Sequence, residues 1–184
     1  MDNPTTLLTA IMFVTILGMA ISNLIVVCAE IAGGLRKPAP ERIHLSWIIL
    51  LLLGLLGLFW KTTLLLDIED WVFGDFLYMI LGPILAFFAA SIVGVPPSDG
   101  QAGGEHSQYL ELSGRFFLML TLYQAWLIGV DLTYDTIGVP TIVNGLMLAL
   151  FVLLTISKNF SLHVVGAAVA WFGFVGQLGL QATS

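Results

Sequence analysis

Long runs of apolar residues, broken by short polar stretches, set the pattern of this chain. Six such runs are legible, at 7–29, 45–66, 71–95, 112–132, 140–157 and 162–180. A helix crossing the hydrocarbon layer takes about 20 apolar residues. The pattern therefore predicts six transmembrane helices. The fifth run is near the lower limit of spanning length and opens at Pro140, a favourable first-turn residue.

The connections are short. Residues 67–70, 133–139 and 158–161 leave room only for tight turns, so spans 2–3, 4–5 and 5–6 are expected as antiparallel hairpins. Residues 96–111 are rich in Gly, Ser and Pro and read as a flexible linker. That linker would join two three-helix halves of opposite orientation, the geometry of inverted repeats. The whole chain, 1–184, is expected to be a single six-helix membrane domain.

Composition sharpens the picture. Of 184 residues, 58% are hydrophobic and 10% charged. Soluble domains carry about 25% charged residues. A soluble globular domain, a disordered chain and a disulfide scaffold are thereby excluded. The net charge of −6 opposes binding to nucleic acid and to anionic lipid. The one cysteine, Cys28, allows no internal disulfide or cysteine cluster and is expected to be an ordinary apolar side chain. The first residues lack the basic start and small-residue cleavage site of a signal peptide. The expected partner is the lipid bilayer, and no cofactor is implied.

Charge also predicts orientation. Arg36, Lys37, Arg42, Arg115 and Lys158 fall on one side of the predicted bundle, and only Lys61 on the other. The positive-inside rule makes the basic side cytoplasmic, with both termini outside. Asp2, Asp67, Glu69, Asp70, Asp75, Asp131 and Asp135 then form an acidic outer face. Trp60, Trp71 and Trp47 sit near span ends as expected interfacial anchors, whereas Trp126 and Trp171 lie deeper, as packing residues or pocket walls.

Candidate chemistry lies in the spans. Lys61 and Asp75 flank the 67–70 turn at equal sequence distance, hence equal depth, and an ion pair between them is expected. It would serve either as a structural staple or as a gate. Asp131, Asn144 and Gln177 fall at a similar level on spans 4, 5 and 6; with Lys61 and Asp75 they form a candidate ion path suited to hard cations or protons. Deeper still, Asn23 and Gln124 are either hydrogen-bonding links between helices or lining of that path. Glu30, Glu111, Arg115 and His163 form an inner polar set. Glu111 and Arg115 stand in the i,i+4 order that favours an ion pair, and His44 and His163 are expected as solvated residues at headgroup level. No His-x-x-x-His or Glu-x-x-His spacing offers a metal or haem site. No G-x-S-x-G or phosphate loop points to an enzyme. Gly166, Ala170, Gly173 and Gly176 give span 6 a small-residue face for close helix packing, within the chain or between chains.

One group of short motifs adds a resemblance. His44-Leu45-Ser46-Trp47, Phe59-Trp60, Trp71 with Phe76-Leu77, Arg115-Phe116-Phe117, and Thr155 to Asn159 followed by His163 together resemble a family of small, uncharacterised bacterial six-span membrane proteins. The resemblance covers most of the chain. It implies a bacterial inner-membrane protein of this topology and implies no activity. From the residues themselves, the expected function is movement of a small ion, a cation or proton, through a homo-oligomeric helical bundle, as a channel or transporter. The rival is a non-transporting accessory or structural subunit that joins partner membrane subunits.

Overall fold

The computed structural model describes residues 4–35, 41–62, 65, 71–94, 105–134 and 138–181. Six helices follow one another: α1 Pro4–Ala32, α2 Glu41–Trp60, α3 Phe73–Val93, α4 Glu105–Tyr134, α5 Val139–Ile156 and α6 Phe160–Gln181. Each holds a stretch long and apolar enough to cross a membrane, and no strand occurs among the described residues. The chain is an all-α integral membrane protein, a bundle of six transmembrane helices.

The helices pack in the cyclic order α1, α3, α4, α5, α6, α2, and α2 closes back on α1. The expected hairpin of spans 2 and 3 is therefore a minor contact, while α3 lies chiefly between α1 and α4. Side-chain size explains this. The buried face of α3 is built from Gly82, Pro83, Ala86, Ala89 and Ala90, which let a neighbouring backbone come close. On α1 the buried residues Thr9, Phe13, Leu17, Ala20, Leu24 and Val27 recur every three or four positions and meet that face.

One end of the bundle carries Asp75, Asp131 and Gln177, and is called here the carboxylate end. The other carries His44 and His163 and is called the histidine end. Near the carboxylate end α3 and α4 interlock. The Trp126 indole Nε1 donates to the Tyr78 carbonyl at 2.7 Å, and the Tyr78 hydroxyl donates back to the Trp126 carbonyl at 3.4 Å. Two glycines make room. A Cβ at Gly82 would overlap the Trp126 ring, and one at Gly129 would overlap the Tyr78 hydroxyl.

At the histidine end α4 begins at Glu105, so the last part of the expected linker is helical; residues 96–104 lie outside the described ones. Tertiary packing accounts for the extension. Tyr109 is buried, with its ring edge-on to Phe160 and His163, which holds the additional turn against α6.

The small face of α6 packs inside the chain. A Cβ at Gly166 would stand 2.8 Å from a methyl of Leu154 on α5, which is itself fully buried. Ala170 is buried, and Gly173 faces the flexible end of Met147. Gly176 differs from the expectation: it is exposed, with nothing near its Cβ position. Accordingly Gly166→Leu is expected to cost about 1–3 kcal/mol by overpacking. Gly176→Leu should stay within about 0.5 kcal/mol of the parent. Thermal melting in detergent separates the two.

Candidate functional site

Three side chains from three consecutive helices meet at the carboxylate end. The Asn144 amide of α5 donates to Asp131 Oδ2 of α4 at 3.1 Å. The Gln177 amide of α6 donates to Asn144 Oδ1 at 3.4 Å. Asn144 is buried, and Asp131 and Gln177 are half-buried. The local sequence explains the placement. Gly138 and Pro140 start α5 just after α4, and Thr141 Oγ1 accepts the Gly138 amide, so Asn144 arrives little more than one turn into its helix. The donors run one way, from the Gln177 amide to Asn144 and from the Asn144 amide to the Asp131 carboxylate.

Below this group the helices keep one phase. Phe117, Gln124 and Asp131 lie seven residues apart on α4, as do Asn144 and Phe151 on α5, and His163, Ala170 and Gln177 on α6. Seven residues nearly complete two helical turns, so each set forms a line along its helix. Gln124, in the middle of the α4 line, is only 6% exposed.

Lower still, the line ends on an aromatic group. The Phe117 ring lies 4.9 Å from Trp47 of α2, 5.3 Å from His163 of α6 and 6.1 Å from Phe151 of α5, centroid to centroid. Trp47 lies edge-on to Phe116, Phe117 and Phe151. Four helices thus close the middle of the ring at the histidine end. Trp47 departs from the expected interfacial anchor: it is only 2% exposed, and its Nε1 is buried with no acceptor in hydrogen-bond range among the described residues.

His163 also departs from its expected solvated setting. It is fully buried. Its Nε2 lies 3.2 Å from the Ser157 carbonyl, and its Nδ1 3.4 Å from the Tyr109 hydroxyl. A carbonyl only accepts, so Nε2 carries the hydrogen and Nδ1 accepts from Tyr109. His44, part-buried, donates Nε2–H to the carbonyl of Val93, one of the open carbonyls at the end of α3, at 2.9 Å.

The expected ion pair of Lys61 and Asp75 is absent. The Asp75 carboxylate instead accepts from the Tyr134 hydroxyl at 3.1 Å and sits in the first turn of α3, where the helix dipole favours an anion. Lys61 is exposed in the tight turn that follows α2 and has no carboxylate partner among the described residues. Equal depth did not bring the two together. The effects of Lys61→Met and Asp75→Leu on stability should therefore add within about 0.5 kcal/mol. A double-mutant cycle by thermal melting measures this, and a larger coupling would restore the pair.

The remaining candidates stay apart. Asn23 is half-buried on α1 and joins none of these groups. Glu30 lies in the last turn of α1, and Arg115 is exposed. The Glu111 side chain, the 67–70 turn and Asp135 lie outside the described residues. The hydroxyls of Thr9, Thr15, Ser91, Thr121, Thr133 and Thr155 donate to carbonyls four residues back on their own helices, so they are committed locally. No cluster of three His, Cys, Asp or Glu occurs among the described residues. Trp171 bridges α6 to α2 through Nε1–H to Ser46 Oγ at 2.8 Å. Comparison with family models, curated proteins and solved structures finds no match to this chain.

Proposed function

We propose that this membrane protein is a gated, transporter-like carrier of a small ion, a cation or a proton. The ion enters at Asp131, Asn144 and Gln177 and passes Gln124, and the aromatic group of Trp47, Phe117 and Phe151 closes the far side. The observation that carries the reading is a chain of hydrogen bonds that links three helices and ends on one carboxylate. Isolated helix-to-helix bonds, as a purely structural subunit would spread them, do not line up in this way. Polar groups inside a membrane are costly and mark ion pathways.

In the proposed orientation, set by the Lys and Arg distribution, the carboxylate end faces outward. Its acidic rim then raises the local concentration of cations. The resemblance in sequence supports the bacterial inner membrane as the location. The site lies within one chain, so homo-oligomers in this reading carry several parallel paths, not one shared pore. The competing reading, an accessory subunit, draws on the isolated pairs Asp75–Tyr134 and Trp171–Ser46.

The test is ion flux into vesicles that hold the pure protein, read for protons, Na⁺ and K⁺. The expected result is flux of one of these that Asp131→Asn lowers by about a hundredfold, as for loss of a positioned acid or base. Vesicles as tight as protein-free ones to all three ions would return the protein to the accessory class.

A further inference from the structure

Taking the transport reading above as its basis, we infer that the cargo is the proton, and that His163 is the carrier on the histidine side of the path. Three observations support this.

First, the entry site is poor in oxygen. Hard metal ions take about six or more oxygen ligands. Here one oxygen of Asp131 already accepts from Asn144, and the oxygen of Asn144 accepts from Gln177. The hydroxyls of Ser91 on α3, Thr121 on α4 and Thr155 on α5 donate to carbonyls of their own helices. A proton needs a single oxygen.

Second, the opposite end of the same line holds a titratable group in a setting suited to passing protons. His163 lies fourteen residues from Gln177 on α6, about 21 Å along the axis. Both its ring nitrogens are engaged, one as donor to the Ser157 carbonyl and one as acceptor from the Tyr109 hydroxyl. The groups that face it are Tyr109 and the apolar Phe117 from α4, with Phe160 beside Tyr109, and the nearby charge is Lys158 in the turn before α6. No carboxylate or second histidine joins His163 in a metal-ligand cluster among the described residues.

Third, Gln124 places a side-chain amide on a buried residue midway between Phe117 and Asp131 on α4. An amide does not titrate at neutral pH, but it orders water, and water conducts protons between two titratable ends.

The steps balance in protons and need no electron transfer. An outside proton converts the Asp131 carboxylate to the acid. When the aromatic group parts, water takes that proton toward His163, and Asp131 is again a carboxylate. Nδ1 of His163 receives the proton, Tyr109 turns from donor to acceptor, and the ring is an imidazolium. Nε2 then gives its hydrogen to water on the far side. The ring is left neutral with its hydrogen on Nδ1, and a flip of the ring turns that N–H to the far side and presents the bare nitrogen to the path again. One proton enters and one leaves.

The experiment uses the full chain in vesicles of phosphatidylethanolamine and phosphatidylglycerol with a trapped pH-sensitive dye. A K⁺ gradient with valinomycin sets the inside negative. The expected result is acidification of the lumen at a rate unchanged when N-methylglucamine replaces Na⁺. His163→Gln keeps a donor and an acceptor but cannot carry the proton, and should lower that rate by about a hundredfold. Elution of the variant as wild type on size exclusion controls for folding, and the cation replacement on the wild type stands without any variant. Flux that requires Na⁺ and leaves the dye unchanged would overturn the proton and keep the transport reading. Wild-type acidification by folded His163→Gln would overturn the role of His163. Silence to every ion would overturn this inference together with the reading it rests on.

Discussion

Trp126→Ala is expected to destabilise the bundle by about 3–5 kcal/mol, the range for truncating a large buried aromatic residue. The residue is 5% exposed and fills the space that Gly82 leaves open on α3. Its ring also lies beside Phe13 of α1 and Tyr123 of α4, so a cavity there would loosen three helices. Trp126→Phe keeps most of the ring but loses the bond to the Tyr78 carbonyl, and should cost nearer to about 1 kcal/mol. Unfolding of both variants in detergent separates the two contributions. If the alanine variant melts with the parent, the α3–α4 interlock does not hold the bundle.

Phe117→Ala should open the bundle to small ions. Phe117 is fully buried and is the ring that Trp47, Phe151 and His163 all meet. Its removal leaves a void of roughly a benzene ring where four helices close. Protein packing relaxes only partly around such voids, so the cost in stability should also be about 3–5 kcal/mol. Under the proposed function, vesicles with Phe117→Ala should leak ions faster than wild-type vesicles, in a manner blocked again by Asp131→Leu. The dye assay reads this directly. Folded Phe117→Ala protein in vesicles as tight as the wild type would place the closure elsewhere.

Some of this was legible in the sequence, and the physics of lipid explains which part. Every span must satisfy its own backbone, so each is an unbroken apolar run that stands out from the loops. The order of helices around the ring was not legible. Lipid-facing Ile11, Met19 and Ile25 on α1 are as apolar as buried Phe13, Leu17 and Leu24, so composition does not tell the inside of the helix from the outside. What separates them on α3 is size, through Gly82, Ala86, Ala89 and Ala90.

The same limits shaped the candidate site. Asp131, Asn144 and Gln177 stood out because polar groups are rare in spans, and they do meet. Lys61 and Asp75 share only a depth, and depth fixes height along a helix but not the direction a side chain takes around it. The seven-residue spacing of Phe117, Gln124 and Asp131, and of His163, Ala170 and Gln177, was the available signal for direction. Trp47 and His163 stand near span ends, a position that in sequence alone points to the interface. Tyr109, in a turn of α4 that the linker composition concealed, buries His163.

The shortness of α5 bears on the surrounding lipid. Its 18 residues give a rise of about 27 Å, less than the roughly 30 Å of an average hydrocarbon layer. Polar Ser157 and Lys158 at one end and the Gly138–Pro140 turn at the other leave little apolar chain to extend it. Thinning of the bilayer along that flank, with the two headgroup planes drawn together, is one way to accommodate the short span. Such thinning on the α5 flank would bring water and counter-ions closer to Asn144 and the hydrogen-bonded trio. Lipids with shorter tails relieve the mismatch and longer tails deepen it, which makes bilayer thickness a physical control on this one side of the molecule.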